Sequence, residues 1–464
     1  MPRRWLIGAW IALALPAGAA AAEACRTQPN KVRYQDDVAC FLEPGTAKGW
    51  PGAVKALPLD GSGRAVLSLG GGIRQRYEYT RDPLFGADPQ DDLGVWLQRY
   101  TLYGDLRLGP HLRAFAELSS ALAFGREGGA GPIDENQLAL QNGFVDLSFA
   151  PTDGAWLTLR PGRQELQYGS GRLIDVRDGT NVRRTFDAAR SILELPGWRI
   201  DAFAARPRTP KPGVFDDTAN DDQALWGLYA AGAPALLPAG SADLYYLGFH
   251  DDEGTFVQGS ADEERHSVGL RLWGEELGWD WNLEAVYQFG SFGDGDISAW
   301  TLASQTGFTF ASLPWQPRIA LSTNVASGDT DPDDADLGTF NPLYPRGNYF
   351  SEDAVLGPRN FFNVHPFLTV QPSARWSFTA DMNFFWRLET EDGVYAPGGQ
   401  IIREPEGSRE RYVGSALSLT SEHEIADNLT FTAIYTHFLA GDFLRETGPS
   451  EDIDYVELTV EYKF

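Results

Sequence analysis

From about residue 64 onward, hydrophobic and polar positions alternate along the chain. In the stretch GWDWNLEAVYQFG, residues 278–290, Trp279, Trp281, Leu283, Ala285, Tyr287 and Phe289 share one parity, and Asp280, Asn282, Glu284 and Gln288 share the other. An extended chain sends successive side chains to opposite faces, so this row predicts a strand with one apolar and one wet face. The pattern recurs at 375–389, 429–439 and 455–464. In all, about eighteen such segments appear: 66–80, 94–108, 112–124, 137–149, 155–168, 183–195, 197–206, 222–232, 241–250, 264–274, 278–290, 297–311, 316–327, 360–371, 375–389, 410–422, 428–440 and 452–464. Lengths near ten residues suit tilted strands that cross a bilayer, and an even total suits a closed bacterial barrel. The fold class expected is all-β: a transmembrane antiparallel β-barrel of about 18 strands over residues 64–464, with 16 as the alternative because 222–250 is the least regular stretch.

The connections alternate in length. Short ones fall at 109–111, 151–154, 196–197, 274–278 and 372–374. Long ones fall at 81–93, 125–136, 169–182, 207–221, 251–263, 328–359, 390–409 and 441–451. Short turns on one side and long loops on the other predict an outer-membrane barrel. Trp156, Trp198, Trp273, Trp279, Trp315 and Trp376 lie beside short turns; Trp96, Trp226, Trp300 and Trp386 lie at the opposite strand ends. Two interfacial aromatic girdles follow. A β-sandwich would turn polar residues outward, whereas here an apolar face persists through every strand.

The N-terminus changes the compartment. Arg3 and Arg4 precede an apolar run from Trp5 to Leu15, and Ala20-Ala21-Ala22 precedes Glu23. This predicts a signal peptide over residues 1–22, cleaved near Ala22; the run is too short to span a bilayer. Residues 23–63 show no period and read as an N-terminal periplasmic extension. Its Cys25 and Cys40 are the two cysteines of the chain, and an oxidising compartment makes them a disulfide candidate.

The formal net charge is −26, yet residues 160–211 hold ten Arg and one Lys against six acids. Parity places Arg74, Arg76 and Glu78 on the wet face of the first strand. Arg99, Asp105 and Arg107 follow on the second, Arg113 and Glu117 on the third, and Asp146 on the fourth. Arg160 lies on the fifth, and Arg163 joins it if a bulge at Pro161-Gly162 resets the phase. Arg190 and Arg387 follow by the same rule. The glycine-rich stretch GSGRLIDVRDGTNV, residues 169–182, carries Arg172 and Arg177 and is expected to fold inward as a constriction. Such a mixed ladder either stiffens the wall as ion pairs or acts as a selectivity ladder, in which guanidinium favours anions.

Other chemistry is scarce. Tyr168-Gly169-Ser170-Gly171 lacks the first glycine of a nucleophile elbow, and the six histidines have no metal-ligand spacing. Asp329, Asp331 and Asp333 open like a calcium loop, but glycine at the sixth position and an acid at the twelfth are missing. No cofactor motif is present. The acidity argues against nucleic acid as a partner.

Three stretches carry a resemblance: GRQELQYGSGRLIDVRDGTNVRRTFDAAR, SGDTDPDDADLGTFNPLYP, and the C-terminal GDFLRETG with DIDYVELTVEYKF. Together they resemble the alginate-export family of outer-membrane barrels, over residues 64 to 464. The resemblance implies an eighteen-stranded barrel with an arginine-lined pore for an anionic uronate polymer, with Arg163, Arg172, Arg177, Arg183 and Arg184 in the matching motif. The expected function is a non-enzymatic outer-membrane channel that exports an anionic polysaccharide such as alginate. The alternative is a porin that takes up small organic acids or acidic oligosaccharides. Expected partners are outer-membrane lipid, the anionic solute, a periplasmic scaffold, and the insertion machinery that reads a final strand ending in Phe464. An outer-membrane enzyme would need a Ser/His/acid cluster at a rim, and an adhesin would plug its lumen.

Overall fold

Leu283 and Tyr287 are 42 and 47% exposed, while Glu284 and Gln288 between and beside them are 6 and 0% exposed. Apolar side chains outside and charged side chains inside is the reverse of a water-soluble fold. The same inversion holds on strand after strand: Ile73, Leu102, Leu147, Leu228, Leu302, Ile319, Leu419 and Leu458 are exposed, and Arg74, Arg99, Asp146, Asp201, Arg265, Asn324, Asn383 and Glu457 are buried. Alternation therefore closes the sheet around a polar interior.

The computed structural model describes residues 29–36, 38, 41, 52–237, 239–348 and 350–464. Eighteen barrel strands follow in order: β1 Ala65–Arg81, β2 Val95–Leu108, β3 Leu112–Phe124, β4 Asn136–Phe149, β5 Trp156–Gln164, β6 Phe186–Leu195, β7 Trp198–Thr209, β8 Gln223–Gly232 and β9 Gly240–Phe256. The rest are β10 Gly259–Glu276, β11 Trp279–Phe292, β12 Gly295–Thr309, β13 Arg318–Ala326, β14 Phe361–Ser373, β15 Trp376–Trp386, β16 Tyr412–Ala426, β17 Leu429–Ala440 and β18 Ile453–Lys463. Each pairs antiparallel with its sequence neighbours, for example Leu283 of β11 opposite Leu272 of β10. Closure joins β1 to β18, with Ile73 opposite Tyr462 and Tyr79 opposite Val456. The seam ends in reciprocal backbone bonds between Gly71 and Phe464, each 3.0 Å. All eighteen predicted segments are strands, and the count of sixteen is excluded.

Two connections differ from expectation. The loop expected over 251–263 does not form, because β9 and β10 continue as a hairpin turned by Val257-Gln258. Its arms, HDDEGT at 250–255 and GSADEER at 259–265, are polar on nearly every position, so no apolar face marks them as strand. β5 stops at Gln164 rather than 168, where the chain leaves the wall and enters the lumen.

The long-loop end is packed from within. Residues 165–185, 327–360, 387–411 and 441–452 fold into the mouth, where Leu166, Ile174, Phe340, Tyr344, Phe350 and Phe443 form a core with wall residues such as Phe186, Phe249 and Phe438. At the short-turn end, the described N-terminal residues sit inside the barrel. Val32 and Tyr34 pack on Tyr103, Phe115, Phe144 and Val176.

Candidate functional site

The loop after β5 organises the lumen. Gly171 has φ +77°, and a Cβ there would lie 2.5 Å from the Asp175 carboxylate, so the turn into the lumen needs glycine. From that turn the loop reaches both sides of the barrel. On one side, Arg74 donates to the carbonyls of Asp178 and Thr180, both at 2.8 Å, and Arg99 Nη2 meets Asp178 Oδ1 at 2.6 Å. On the other, Arg172 Nη1 meets Glu284 of β11 at 2.8 Å. β1 and β11 stand nearly half a turn of the wall apart, so the loop crosses the lumen. It is held midway by residues 327–360: Asp175 N donates to Tyr344 O at 2.9 Å, and Tyr344 N donates to Leu173 O at 2.8 Å.

Most of the predicted arginines carry carboxylate partners. Arg76 lies 3.2 Å from both Glu78 and Glu457, and Arg113 lies 2.7 Å from Asp105. Arg160 holds Asp146 through two bonds of 2.6 and 2.8 Å. Arg190 pairs with Asp201 and covers the Tyr168 ring at 5.2 Å. Arg183 approaches Glu165 at 3.0 Å, donates to Lys31 O at 2.7 Å, and is 9% exposed. Burial pushes the Glu165 carboxyl up, against the downward pull of Arg183, to about 7. Pairs this dry and doubly bonded hold the wall in one shape; removing one partner strands the other charge at about 3–5 kcal/mol.

Two arginines fall outside the predicted arrangement. Arg163 does not face the lumen. The expected phase reset is absent, since Pro161, Gly162 and Arg163 pair in register with Ala189, Ala188 and Asp187. Arg163 therefore shares the outward face of Leu159 and is tied to Asp187 at 2.8 Å, with Arg208 at 3.0 Å from the same carboxylate. Arg387 does point inward, but five bonds to the carbonyls of Thr390, Asp392, Ser408 and Glu410 consume it, and it stacks on Phe443 at 3.7 Å. It pins the loop that follows β15.

Arg177 and Arg184 remain at the crossing of the two loops. No carboxylate among the described residues forms an ion pair with either. Arg177 holds a left-handed backbone, φ 54°, an uncommon conformation for a non-glycine residue. Among the described residues Arg184 donates to the carbonyls of Asp175 and Pro345, at 3.4 and 3.3 Å, and lies 5.0 Å from the Tyr344 ring centre. Burial presses the charged form of Arg184 down, and the Arg177 guanidinium adds to the effect. Burial lowers Arg177 likewise. The Asp175 carboxylate acts on Arg184 in the opposite sense, but Lys31 Nζ already bonds both of its oxygens at 2.8 and 2.7 Å, and guanidinium does not give up its proton in proteins. Arg359 in the second loop escaped the alternation rule because it lies in an irregular segment. It bonds Asn341 Oδ1 at 3.0 Å and covers Phe256 at 4.7 Å.

The acidic loop does not gather into a calcium cage. Asp329 Oδ1 accepts from Asp331 N at 3.0 Å, and Asp331 Oδ1 accepts from Asp333 N at 3.3 Å, a run of side-chain turns. Three potential ligand atoms lie within 4.8 Å of one another at His250, Asp252 and Asp262 instead. The signal-peptide and Cys25–Cys40 expectations lie outside the described residues.

A closed eighteen-stranded barrel with an apolar belt, a charged lumen and an inward-crossing loop is a porin-like outer-membrane β-barrel. The model of the alginate export family matches residues 65–456, and the chain belongs to that family. No curated protein matches it. Among solved structures, Pseudomonas aeruginosa OccD3 (OpdP) superposes with TM-score 0.58 at 13% identity, covering 89% of this chain and 93% of that one. Pseudomonas aeruginosa OccK11 (OpdR) gives 0.56 at 12%, covering 86% and 96%. Acinetobacter baumannii OccAB4 gives 0.57 at 11%, covering 85% and 97%. At these identities the likeness is one of fold.

Proposed function

We propose that the protein is a non-enzymatic outer-membrane channel for an anionic polysaccharide such as alginate, passed outward, and that Arg177 and Arg184 are the groups its carboxylates meet. The observation that carries this reading is that neither guanidinium at the loop crossing forms an ion pair among the described residues. A planar guanidinium fork matches a carboxylate in two parallel hydrogen bonds. A passing uronate supplies the missing negative charge there and then leaves, because each contact is transient and the next carboxylate competes for it. Arg76, Arg160 and Arg190 are already paired with carboxylates and serve as the frame. Arg74, Arg99 and Arg172 act by holding the loop in place rather than by touching solute. A periplasmic scaffold would deliver the polymer, and cleavage near Ala22 would release the exported chain.

The test is ion selectivity of the purified protein in planar bilayers. Changing Arg177→Gln together with Arg184→Gln is expected to cut the chloride-to-potassium permeability ratio several-fold. Arg163→Gln, on the outer face, should leave it unchanged. Equal loss from both changes would refute the assignment of the two loop arginines.

A further inference from the structure

The N-terminal residues fill a slot in the lumen wall. Tyr34 is 4% exposed and Val32 1%. The Tyr34 ring meets Phe144 edge-on at 5.1 Å and Phe115 at 6.0 Å, and the Arg160 guanidinium covers it at 4.6 Å. Phe115 stacks on Phe144 at 5.4 Å and on Tyr103 at 5.3 Å, so the slot is walled by three aromatic rings of β2, β3 and β4. Its rim is polar. Arg113 donates to Tyr34 O at 2.7 Å, the Tyr34 hydroxyl donates to Glu165 O at 2.6 Å, and Arg183 donates to Lys31 O at 2.7 Å.

The segment is clasped as well as seated. Arg33 donates to Gly71 O at 2.8 Å and Phe464 O at 2.9 Å, the two residues of the closing seam, and pairs with Asp36 at 3.1 Å. Lys31 Nζ reaches both Asp175 oxygens at 2.8 and 2.7 Å, on the same loop that carries Arg177 and Arg184. The contacts are thus of two kinds: rings that bind an apolar face, and donors that bind oxygen. None is a continuation of the β-sheet, so the segment can leave without breaking a strand.

We propose that this slot is a subsite for a pyranose ring on the solute path, and that residues 29–36 are its resident plug, displaced when sugar enters. A pyranose offers an apolar C–H face to Phe115 and Phe144 and hydroxyl oxygens to the donors of Arg113 and Arg183 that Tyr34 O and Lys31 O now occupy. The inference rests on the channel reading above, but it concerns the ring of the solute, whereas Arg177 and Arg184 concern its charge.

The experiment uses the full chain in planar bilayers, with barrel formation checked by heat-modifiable mobility on gels. The probes are oligogalacturonate and neutral maltohexaose. Arg33→Ala with Tyr34→Ala should raise basal conductance several-fold, and both sugars should then block at concentrations about tenfold lower than in the wild type, the worth of one well-made aromatic contact. Adding Phe144→Ala should keep the high conductance and abolish the gain in block. Unchanged conductance in the double variant would overturn the plug. Raised conductance without tighter block by either sugar would overturn the subsite. Neither result bears on anion preference, which the Arg177 and Arg184 variants test separately.

Discussion

At the scale of the residue, the lumen separates charges that are satisfied from charges that are not. Arg160 with Asp146 and Arg271 with Asp243 are closed units, whereas Arg177 and Arg184 are open. A carboxyl in the second loop is open in the opposite sense. Asp353 is bonded by the Ser351 hydroxyl, its Oδ2 is buried without a partner, and burial raises it to about 6. The packed loop therefore holds this proton to about pH 6, and the unpacked loop only to about 4. The stabilisation is complete below about pH 4 and is lost as pH rises through about 6. Limited proteolysis of residues 327–360 should be faster at pH 7.5 than at pH 5, and Asp353→Asn should flatten the difference; faster cleavage in acid would contradict this. Sequence parity put Arg160 and Asp146 on the wet face, because wall residues obey a period of two. It could not find Arg184 or Asp353 as open groups, since a loop has no period to read, and it misplaced Arg163 by assuming a bulge that the strand does not make.

At the scale of the element, small residues let large rings cross the wall. A Cβ on Gly269 of β10 would lie 2.1 Å from the Tyr245 ring of β9. Tyr245 stacks on Tyr229 at 5.1 Å, Tyr229 stacks on Tyr168 at 4.8 Å, and the hydroxyls of Tyr229 and Tyr245 reach Asp243 and Glu284 at 2.8 Å. This ladder supports the start of the crossing loop. Gly269→Val is expected to push Tyr245 from its site at a cost of about 1–3 kcal/mol, read as a lower temperature for loss of the compact band on gels. Gly61→Ala, where the added atom meets nothing within 4 Å, should leave that temperature unchanged. The strands themselves were legible from alternation, except for the end of β5 and the polar hairpin that joins β9 to β10. The N-terminal segment was not, because KVRYQDD carries neither a period nor a turn signal, and its place inside the lumen depends on rings contributed by three distant strands.

At the scale of the whole molecule, a chain of net charge −26 is proposed to prefer anions. The two facts are compatible because selectivity is set at the narrowest part of the path and not by the total charge. In the wall, acids are paired with arginines, as Asp146 with Arg160 and Asp243 with Arg271. At the loop crossing Arg177 lies close enough to Arg184 to repel its charge. The most direct test is the reversal potential of the intact protein in a planar bilayer under a potassium chloride gradient. The account predicts a potential of the sign set by chloride permeation, reduced when uronate oligomers occupy the path. A potential of the opposite sign, set by potassium, would contradict it.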